Sequence, residues 1–310
     1  MKDIYKEVTD LIIEGLEKDI IVWDKTWISG DHVPISIHGK KYRGTNLFLL
    51  SLVASLKNYK DNRWLTFNQA KKLNGNVKKG ERGSLVILWK PLINHHNECH
   101  ESDYKKFCNY KNNKGYLAIN CERRFLITSY TVFNVEQCEK LEIPELKISD
   151  GPDNNYDPII EAEAIIENYI NREKLEVDLN GLEAFYIPSK DKLTMPKHNS
   201  FVNNESFYST YFHELAHSTG NEKRLNRKDN KQIVRFGDPD YAREELIAEM
   251  TSGFLSNFSG IDTKHVQRNR LAYIQNWISV LKNDKKLFIS AAQSGQKATE
   301  YILDIGGENK

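Results

Sequence analysis

The chain has 310 residues, of which 39% are hydrophobic and 28% are charged, and its formal net charge is +1. This length is enough for two ordinary domains, and the composition is typical of a soluble globular protein. No apolar run approaches the roughly 20 residues of a membrane-spanning helix. The first residues, Met1 to Tyr5, lack the pattern of a signal peptide. We therefore expect no membrane partner.

The first half of the chain reads as a small α+β domain, because runs with helical spacing alternate with short β-rich runs. A brief helix near the middle has Thr66 or Asn68 available as its N-cap. The predicted elements are helices at 3–18, 47–53 and 69–73, strands at 64–67, 84–89 and 124–133, and a glycine-rich basic loop at 75–83.

The second half also mixes helices and strands. Three prolines among Asp and Asn residues predict a linker at 143–158, which gives the expected domain boundaries 1–142 and 159–310. The predicted elements of the second domain are a helix at 158–172, strands at 184–188 and 191–196, and helices at 212–220, 241–250, 268–282 and 288–303.

The four cysteines form no Cys-x-x-Cys pair, which is typical of a reducing compartment, so a cytoplasmic location is expected. Histidines and cysteines between His95 and Lys114 offer metal ligands, but their spacing fits no ordinary zinc pattern. That polar stretch is expected to be an inserted loop.

Charge is distributed unevenly along the chain. Residues 40–124 hold 18 Lys and Arg against 6 Asp and Glu, a net charge of +12. Residues 151–310 hold 20 basic and 24 acidic residues, a net charge of −4. An anionic partner is therefore expected for the first half only.

The residues at 212–220 read Phe-His-Glu-Leu-Ala-His-Ser-Thr-Gly. Residues four apart share a face of a helix, so His213 and His217 can reach a single metal ion. Glu214 can lean toward the same ion and take a proton from an attacking water. A solvated helix face with two hydrogen-bonded histidines is the alternative. The candidate caps of the helix that carries these histidines are Ser206 or Ser209 at its start and Gly220 at its end.

A catalytic zinc ion takes three protein ligands and leaves a position for water, so a third ligand is expected downstream. The longer pattern His-Glu-x-x-His-x-x-Gly-x-x-His requires histidine where this chain has Lys223, which excludes that class. A later helix offers Glu245 and Glu249, which lie four apart on one face. Glu244 points away from that face and is expected to be solvated.

This combination resembles the glutamate-type zincins, a class of zinc peptidases. In that class a carboxylate four residues after the ligand glutamate hydrogen-bonds a ligand histidine. The resemblance therefore implies Glu245 as the third ligand beside His213 and His217, with Glu249 as the hydrogen-bonding carboxylate. The reversed roles of these two glutamates remain the alternative. Glu214 is the implied catalytic base, zinc the expected ion and manganese the alternative.

Further segments carry a second resemblance. They are Tyr42–Asn46, Trp64–Ala70, Val77–Gly83, Tyr130–Asn134, Met195–Pro196, the histidine motif, Tyr241–Glu249 and Tyr273–Tyr301. They are similar to segments of the ArdC-type antirestriction proteins of plasmids, over nearly the whole chain outside 95–114. The resemblance implies an N-terminal domain, similar to one in plasmid primases, that binds single-stranded DNA. It implies a C-terminal zincin-like metallopeptidase domain and protection of incoming plasmid or phage DNA from restriction.

Binding to a single strand needs cations for phosphates and aromatic faces for bases. Residues 40–124 interleave both, although a solvated basic face is the alternative. Phe48, Phe67 and Trp89 are expected in the core. The expected DNA contacts are Tyr42, Arg43, Asn46, Trp64, Lys71, Lys78, Lys79 and Arg82.

The leading hypothesis is a single-strand DNA-binding domain joined to a zinc-dependent peptidase that acts on a protein the sequence does not name. One alternative is a binding protein with a structural or vestigial metal site. Another is a regulatory peptidase that cleaves a repressor when DNA is bound.

Overall fold

A computed structural model describes residues 3–21, 23, 33–94, 122–143, 158–227, 239–261 and 270–305. Most of the expected linker, and all of the expected inserted loop, lie outside these ranges. Contacts divide the chain into two compact units: residues 85–130, and the remainder. The mixture of helices and strands confirms the predicted α+β class. Among the described residues, no helix combines the length and apolar character that crossing a membrane requires.

Within the described ranges, the first half contributes three helices and six strands. The helices are α1 (Ile4–Glu17), α2 (Thr45–Lys57) and α3 (Phe67–Lys72). The strands are β1 (Ile35–Ser36), β2 (Arg63–Leu65), β3 (Asn76–Val77), β4 (Ser84–Asn94), β5 (Glu122–Asn134) and β6 (Cys138–Glu139), and the turn Val135–Gln137 is a 3-10 helix.

In the part of the second half that the structure describes, there are five helices and three strands. The helices are α4 (Pro158–Glu173), α5 (Asn204–Thr219), α6 (Pro239–Ser259), α7 (Arg270–Asn283) and α8 (Leu287–Ile302). The strands are β7 (Glu176–Asp178), β8 (Phe185–Ile187) and β9 (Lys192–Thr194), and His198–Ser200 is a 3-10 helix.

Local sequence accounts for several of the observed boundaries. Thr66, one of the two caps that the sequence offered, caps α3 and forms a capping box with Gln69. Helix α5 begins at Asn204 because Asn203 is its N-cap, with Oδ1 accepting from the amide of Ser206 at 2.8 Å. The expected caps at Ser206 and Ser209 were therefore wrong, whereas Gly220 is the C-cap as expected.

The described strands form three sheets. Parallel β1 and antiparallel β5 flank β2, which places Trp64 opposite Asn134 and Leu65 opposite Phe133. The sheet order is β1-β2-β5-β4, and β3 pairs with β6 in a separate ribbon. In the second half, β9 lies between parallel β7 and antiparallel β8, so β8 is an edge strand.

The unit at 85–130 is built from the outer parts of β4 and β5. Val86 and Ile87 are buried, whereas Leu88 and Tyr130 are exposed. The Thr128 hydroxyl donates to the Leu88 carbonyl at 3.1 Å, which ties the two strands together.

Helices of both halves share one hydrophobic core. The rings of Phe48 and Phe254 stack at 4.6 Å, and Trp23 meets Trp277 edge-on at 6.1 Å. A Cβ at Gly253 would lie 2.3 Å from the Trp23 carbonyl oxygen, so α6 can approach that segment only with glycine there. Helix α6, which packs extensively on α5 and α8, is thereby held by the N-terminal residues as well.

Candidate metal centre

The described fold brings together the three residues that the sequence singled out as ligands. Helix α5 buries Phe212, Leu215 and Ala216 in the core, which leaves His213 and His217 directed toward α6. His213 Nε2 and His217 Nε2 are 3.1 Å apart. Glu245 Oε2 lies 3.5 Å from His213 Nε2, and Glu245 Oε1 lies 3.5 Å from His217 Nε2.

These distances fit a single cation. Ligand atoms about 2.0–2.2 Å from a tetrahedrally coordinated zinc ion lie about 3.3–3.6 Å from one another. Two imidazole nitrogens and one carboxylate, all within 4.8 Å of one another, form the donor set of a catalytic zinc site. The three donor atoms are therefore close enough together to hold one divalent cation.

Carboxylates dominate the electrostatics of the cluster. Burial alone would lower the pKa of His213, but the surrounding carboxylates, with Glu245 first, raise it to about 9. Burial would raise the pKa of Glu245, but its hydrogen bond to His213 and the charge of His217 lower it to about 2. The cluster thus has the excess negative charge that favours binding of a cation.

Glu244 is not solvated, so that expectation was wrong. It is 6% exposed, and its Oε1 lies 3.3 Å from His217 Nδ1. Arg227 donates to both of its oxygens, from Nε at 3.0 Å and from Nη2 at 2.6 Å. Burial would raise the pKa of Glu244, but the bonds with His217 and Arg227 lower it. On a helical wheel of α6, Glu244 and Glu245 point in different directions. The wheel does not show that His217 of α5 contacts Glu244.

Helix α6 places two further side chains beside the cluster, those of Glu249 and Tyr241. Glu249 Oε1 lies 3.8 Å from His213 Nδ1, on the side of that ring away from His217. The Tyr241 side chain hydrogen-bonds Glu245, and burial, followed by the charge of Glu245, raises the pKa of Tyr241 to about 12. Sequence reasoning missed Tyr241, although its spacing of four from Glu245 was a usable signal. Glu214 is buried beside these groups, at 7% exposure.

The structure reverses the expected burial of two aromatic residues, one an expected DNA contact and the other an expected core residue. Trp64 was predicted to contact DNA but is 1% exposed, because β2 turns its ring into the core against Tyr59. Phe67 was predicted to be buried but is 47% exposed, at the first position of α3. Lys71 Nζ lies 4.9 Å from the Phe67 ring centroid. Trp64 therefore offers no face to a base, whereas Phe67 does.

The other expected contacts lie nearer the surface. Phe48 is buried as predicted, and the Trp89 side chain lies outside the described part of the chain. Lys78 Nζ donates to the Glu136 carbonyl at 2.8 Å. Arg43, Lys71, Lys78, Lys79 and Arg82 are exposed, and Tyr42 and Asn46 are half-buried.

Two family models match the chain. Residues 2–133 match the N-terminal domain of anti-restriction factor ArdC, and residues 163–294 match a zincin-like metallopeptidase. The second match covers α5 and α6, which carry the metal-ligand candidates. The second half is thus a zincin-like domain.

Whole-chain comparisons extend the match. A crystal structure of antirestriction protein ArdC from plasmid R388, bound to Mn(II), is 30% identical, with a TM-score of 0.68 and full coverage of both chains. A metal-free structure of that protein has the same score and covers 98% of this chain. The chain belongs to the ArdC antirestriction family.

Curated relatives show the same relationship. The uncharacterized protein y4eC of Sinorhizobium fredii is 27% identical, over 97% of this chain and 91% of its own length. DNA primase TraC of Escherichia coli is 29% identical over 97% of this chain, but the match spans only 27% of that primase. The chain thus corresponds to about a quarter of TraC.

Proposed function

We propose that this chain is an antirestriction protein that binds single-stranded DNA and cleaves a protein with a zinc-dependent peptidase site. His213, His217 and Glu245 hold the ion. Glu214 is the base, and the exposed cations of the first half contact the DNA phosphates. The observation that carries the peptidase part is the convergence of three donor atoms beside the buried Glu214 carboxylate.

The metal assignment is supported by the donor geometry and by the Mn(II)-bound ArdC of plasmid R388. Two imidazoles and one carboxylate favour zinc, and the relative's ion makes manganese the alternative. When bound, such an ion supplies Lewis acidity, which polarises a peptide carbonyl and lowers the pKa of a water molecule.

The residues of the chain supply the remaining chemistry. The Glu214 carboxylate accepts the proton of the attacking water and later delivers it to the leaving amine. The phenol of Tyr241, whose raised pKa keeps it protonated, holds Glu245. Among the described strands, β8 pairs with β9 on one side only, and it packs on α5. An extended substrate segment can add as a further strand on the other side.

The DNA assignment is supported by charge and by one exposed ring. Residues 40–124 carry a net charge of +12, and Arg43, Lys79 and Arg82 are exposed. Phe67 adds an apolar face of the kind on which a base stacks. The similarity to part of a DNA primase is consistent with a nucleic-acid partner.

Metal analysis tests the site. Wild-type protein should retain close to one zinc ion after gel filtration, and His217→Ala should lose most of it, because two protein ligands hold zinc far more weakly than three. His198→Ala is the matched control, since His198 packs on Phe207 by ring contact rather than on the cluster. Equal zinc content in wild type and His217→Ala would contradict the site. Loss of zinc in Glu249→Gln but not in Glu245→Gln would reverse the roles of the two glutamates.

A further inference from the structure

We propose that Arg227 is a positioning residue for the metal centre: it fixes the Glu244 carboxylate, which in turn fixes the ring of His217. This inference rests on the proposed metal site and adds to it a residue outside the histidine motif. In the described contacts, Arg227 reaches the metal cluster through Glu244, to which it donates two hydrogen bonds.

The geometry of Arg227 joins the two helices that carry the ligands. Its Nε and Nη2 grip the two oxygens of Glu244 on α6, at 3.0 and 2.6 Å. Its Nη2 also donates to the Ala216 carbonyl at 2.8 Å, and its Nη1 to the Thr219 hydroxyl at 2.6 Å, both on α5. One guanidinium therefore sets the position of a glutamate relative to the last turn of the histidine helix.

The consequence for His217 follows from the two ring nitrogens. With Oε1 of Glu244 3.3 Å from Nδ1, the carboxylate favours the tautomer that carries its proton on Nδ1. Nε2 then keeps its lone pair and faces His213 Nε2 and Glu245. Because groups of this kind orient a ligand and raise its basicity, their loss typically costs roughly 10–100-fold in metal affinity.

Arginine suits this position better than lysine. The side chains of Arg227 and Glu244 are 9% and 7% exposed, so unpaired polar groups there would be costly. A guanidinium can grip a carboxylate with two nitrogens and still donate to a carbonyl and a hydroxyl. A lysine ammonium has three donors but lacks the fixed planar geometry of a guanidinium. It keeps the positive charge but does not hold the Glu244 carboxylate in one orientation.

The chain contains a matched control, Arg224. Its side chain is 1% exposed, and it also bonds the end of α5, through the Ser218 carbonyl at 3.0 Å. Its acidic partners are Asp191 and Glu173, which lie outside the metal cluster. Arg224 and Arg227 thus share burial and contact with one helix end, but only Arg227 contacts Glu244.

The test measures the zinc Kd of the full chain by competition with a chromogenic chelator, below the unfolding transition of every variant. We expect R227M to weaken zinc binding roughly 10–100-fold, R227K to fall between R227M and wild type, and R224M to keep the wild-type Kd despite its lower stability. If Arg227 acts through Glu244, R227M should add little in an E244Q background, where the loss has already occurred.

The zinc Kd values distinguish failure of the proposed metal site from failure of the proposed role of Arg227. Wild-type protein without zinc affinity would overturn the proposed function, and this inference with it. If the wild type binds zinc but R227M and R224M have the same zinc Kd, the role of Arg227 is overturned and the metal site is not. The same holds if the effects of R227M and E244Q on the zinc Kd add fully. If R227M does not fold, R227K compared with R224K makes the same distinction.

Discussion

Phe48 of α2 and Phe254 of α6 stack with ring centroids 4.6 Å apart and planes inclined by 21°. One ring belongs to the segment that matches the ArdC N-terminal domain, and the other to the helix that carries Glu245. Both are buried, at 1% and 6% exposure. The helix that supplies the third ligand candidate is therefore anchored partly by the N-terminal half of the chain.

This stack predicts that a core mutation in the first half destabilises the whole. Phe48→Ala should lower the free energy of unfolding by about 3–5 kcal/mol, because it leaves a cavity against Phe254. Urea unfolding should remain one transition whether it is followed by tryptophan fluorescence or by far-UV circular dichroism. Two separate transitions in the wild type would contradict a shared core.

Phe67 provides the opposite case for the same residue type. Phe67→Ala should change the free energy of unfolding by less than about 0.5 kcal/mol, because the ring is 47% exposed. It should nevertheless weaken binding to a fluorescent oligothymidine by about 1–3 kcal/mol, the usual value of one stacked base. Phe48→Leu serves as the control that alters a buried ring. Unchanged DNA affinity in Phe67→Ala would remove Phe67 from the DNA surface.

Salt dependence tests the phosphate contacts. The logarithm of the oligothymidine affinity should fall linearly with the logarithm of salt concentration, because binding releases counterions. The combined Lys78→Ala and Lys79→Ala change should flatten this slope by about 1.4, since each phosphate contact to a single strand contributes about 0.7. Lys297→Ala, an exposed lysine in α8, should leave it unchanged. A slope that is equal in all three proteins would contradict these contacts.

The ion pair of Arg224 and the half-buried Asp191 predicts a pH dependence of stability. Burial alone would raise the pKa of Asp191, but hydrogen bonds from Arg224 and Tyr186 lower it. A lowered folded pKa means that the stabilisation is complete above the unfolded pKa of about 3.9 and is lost as pH falls through the folded pKa.

Asp191→Asn should therefore cost about 1.5–3 kcal/mol at pH 7, because Arg224 loses its charge-assisted hydrogen bonds to Asp191 and keeps only Glu173 as an acidic partner among the described residues. The difference from wild type should shrink below about pH 4, where the Asp191 carboxyl of the unfolded wild-type chain takes up a proton. Urea unfolding between pH 7 and pH 3 measures it. Asp304→Asn, at an 83% exposed side chain, should differ little from wild type throughout. A difference that does not depend on pH would contradict the pairing.

Much of the candidate site was readable from the sequence because its information is local. Helical spacing places His213 and His217 on one face, and the same spacing brings Glu245 and Glu249 together. The role of Glu244 depends on Arg227, which lies 17 residues away in a segment without regular spacing, so only the folded chain brings the two together. Register within one helix does not reveal which helix lies opposite.

The exchange of Trp64 and Phe67 has a similar cause. Strand β2 has three residues with the last two buried, so alternation cannot show which ring faces inward. Phe67 follows directly after the Thr66 cap, and the first turn of α3 directs it toward solvent. The shared core of Phe48 and Phe254 was equally hidden, since the expected linker suggested two independent domains.

The proposed peptidase activity requires Glu214 to act as the base that accepts the proton of the attacking water. The most direct measurement compares new protein N-termini in a bacterial extract incubated with zinc-loaded wild type or with Glu214→Gln, each with and without single-stranded DNA. The amide keeps the size of the carboxylate but cannot accept the proton, so cleavage should fall by about 10²–10⁴-fold while zinc content and DNA affinity stay equal. New N-termini that appear with wild type, and not with Glu214→Gln or after chelation, are the predicted result. Identical termini for the two proteins, or none with wild type, would contradict the peptidase assignment and leave DNA binding as the function.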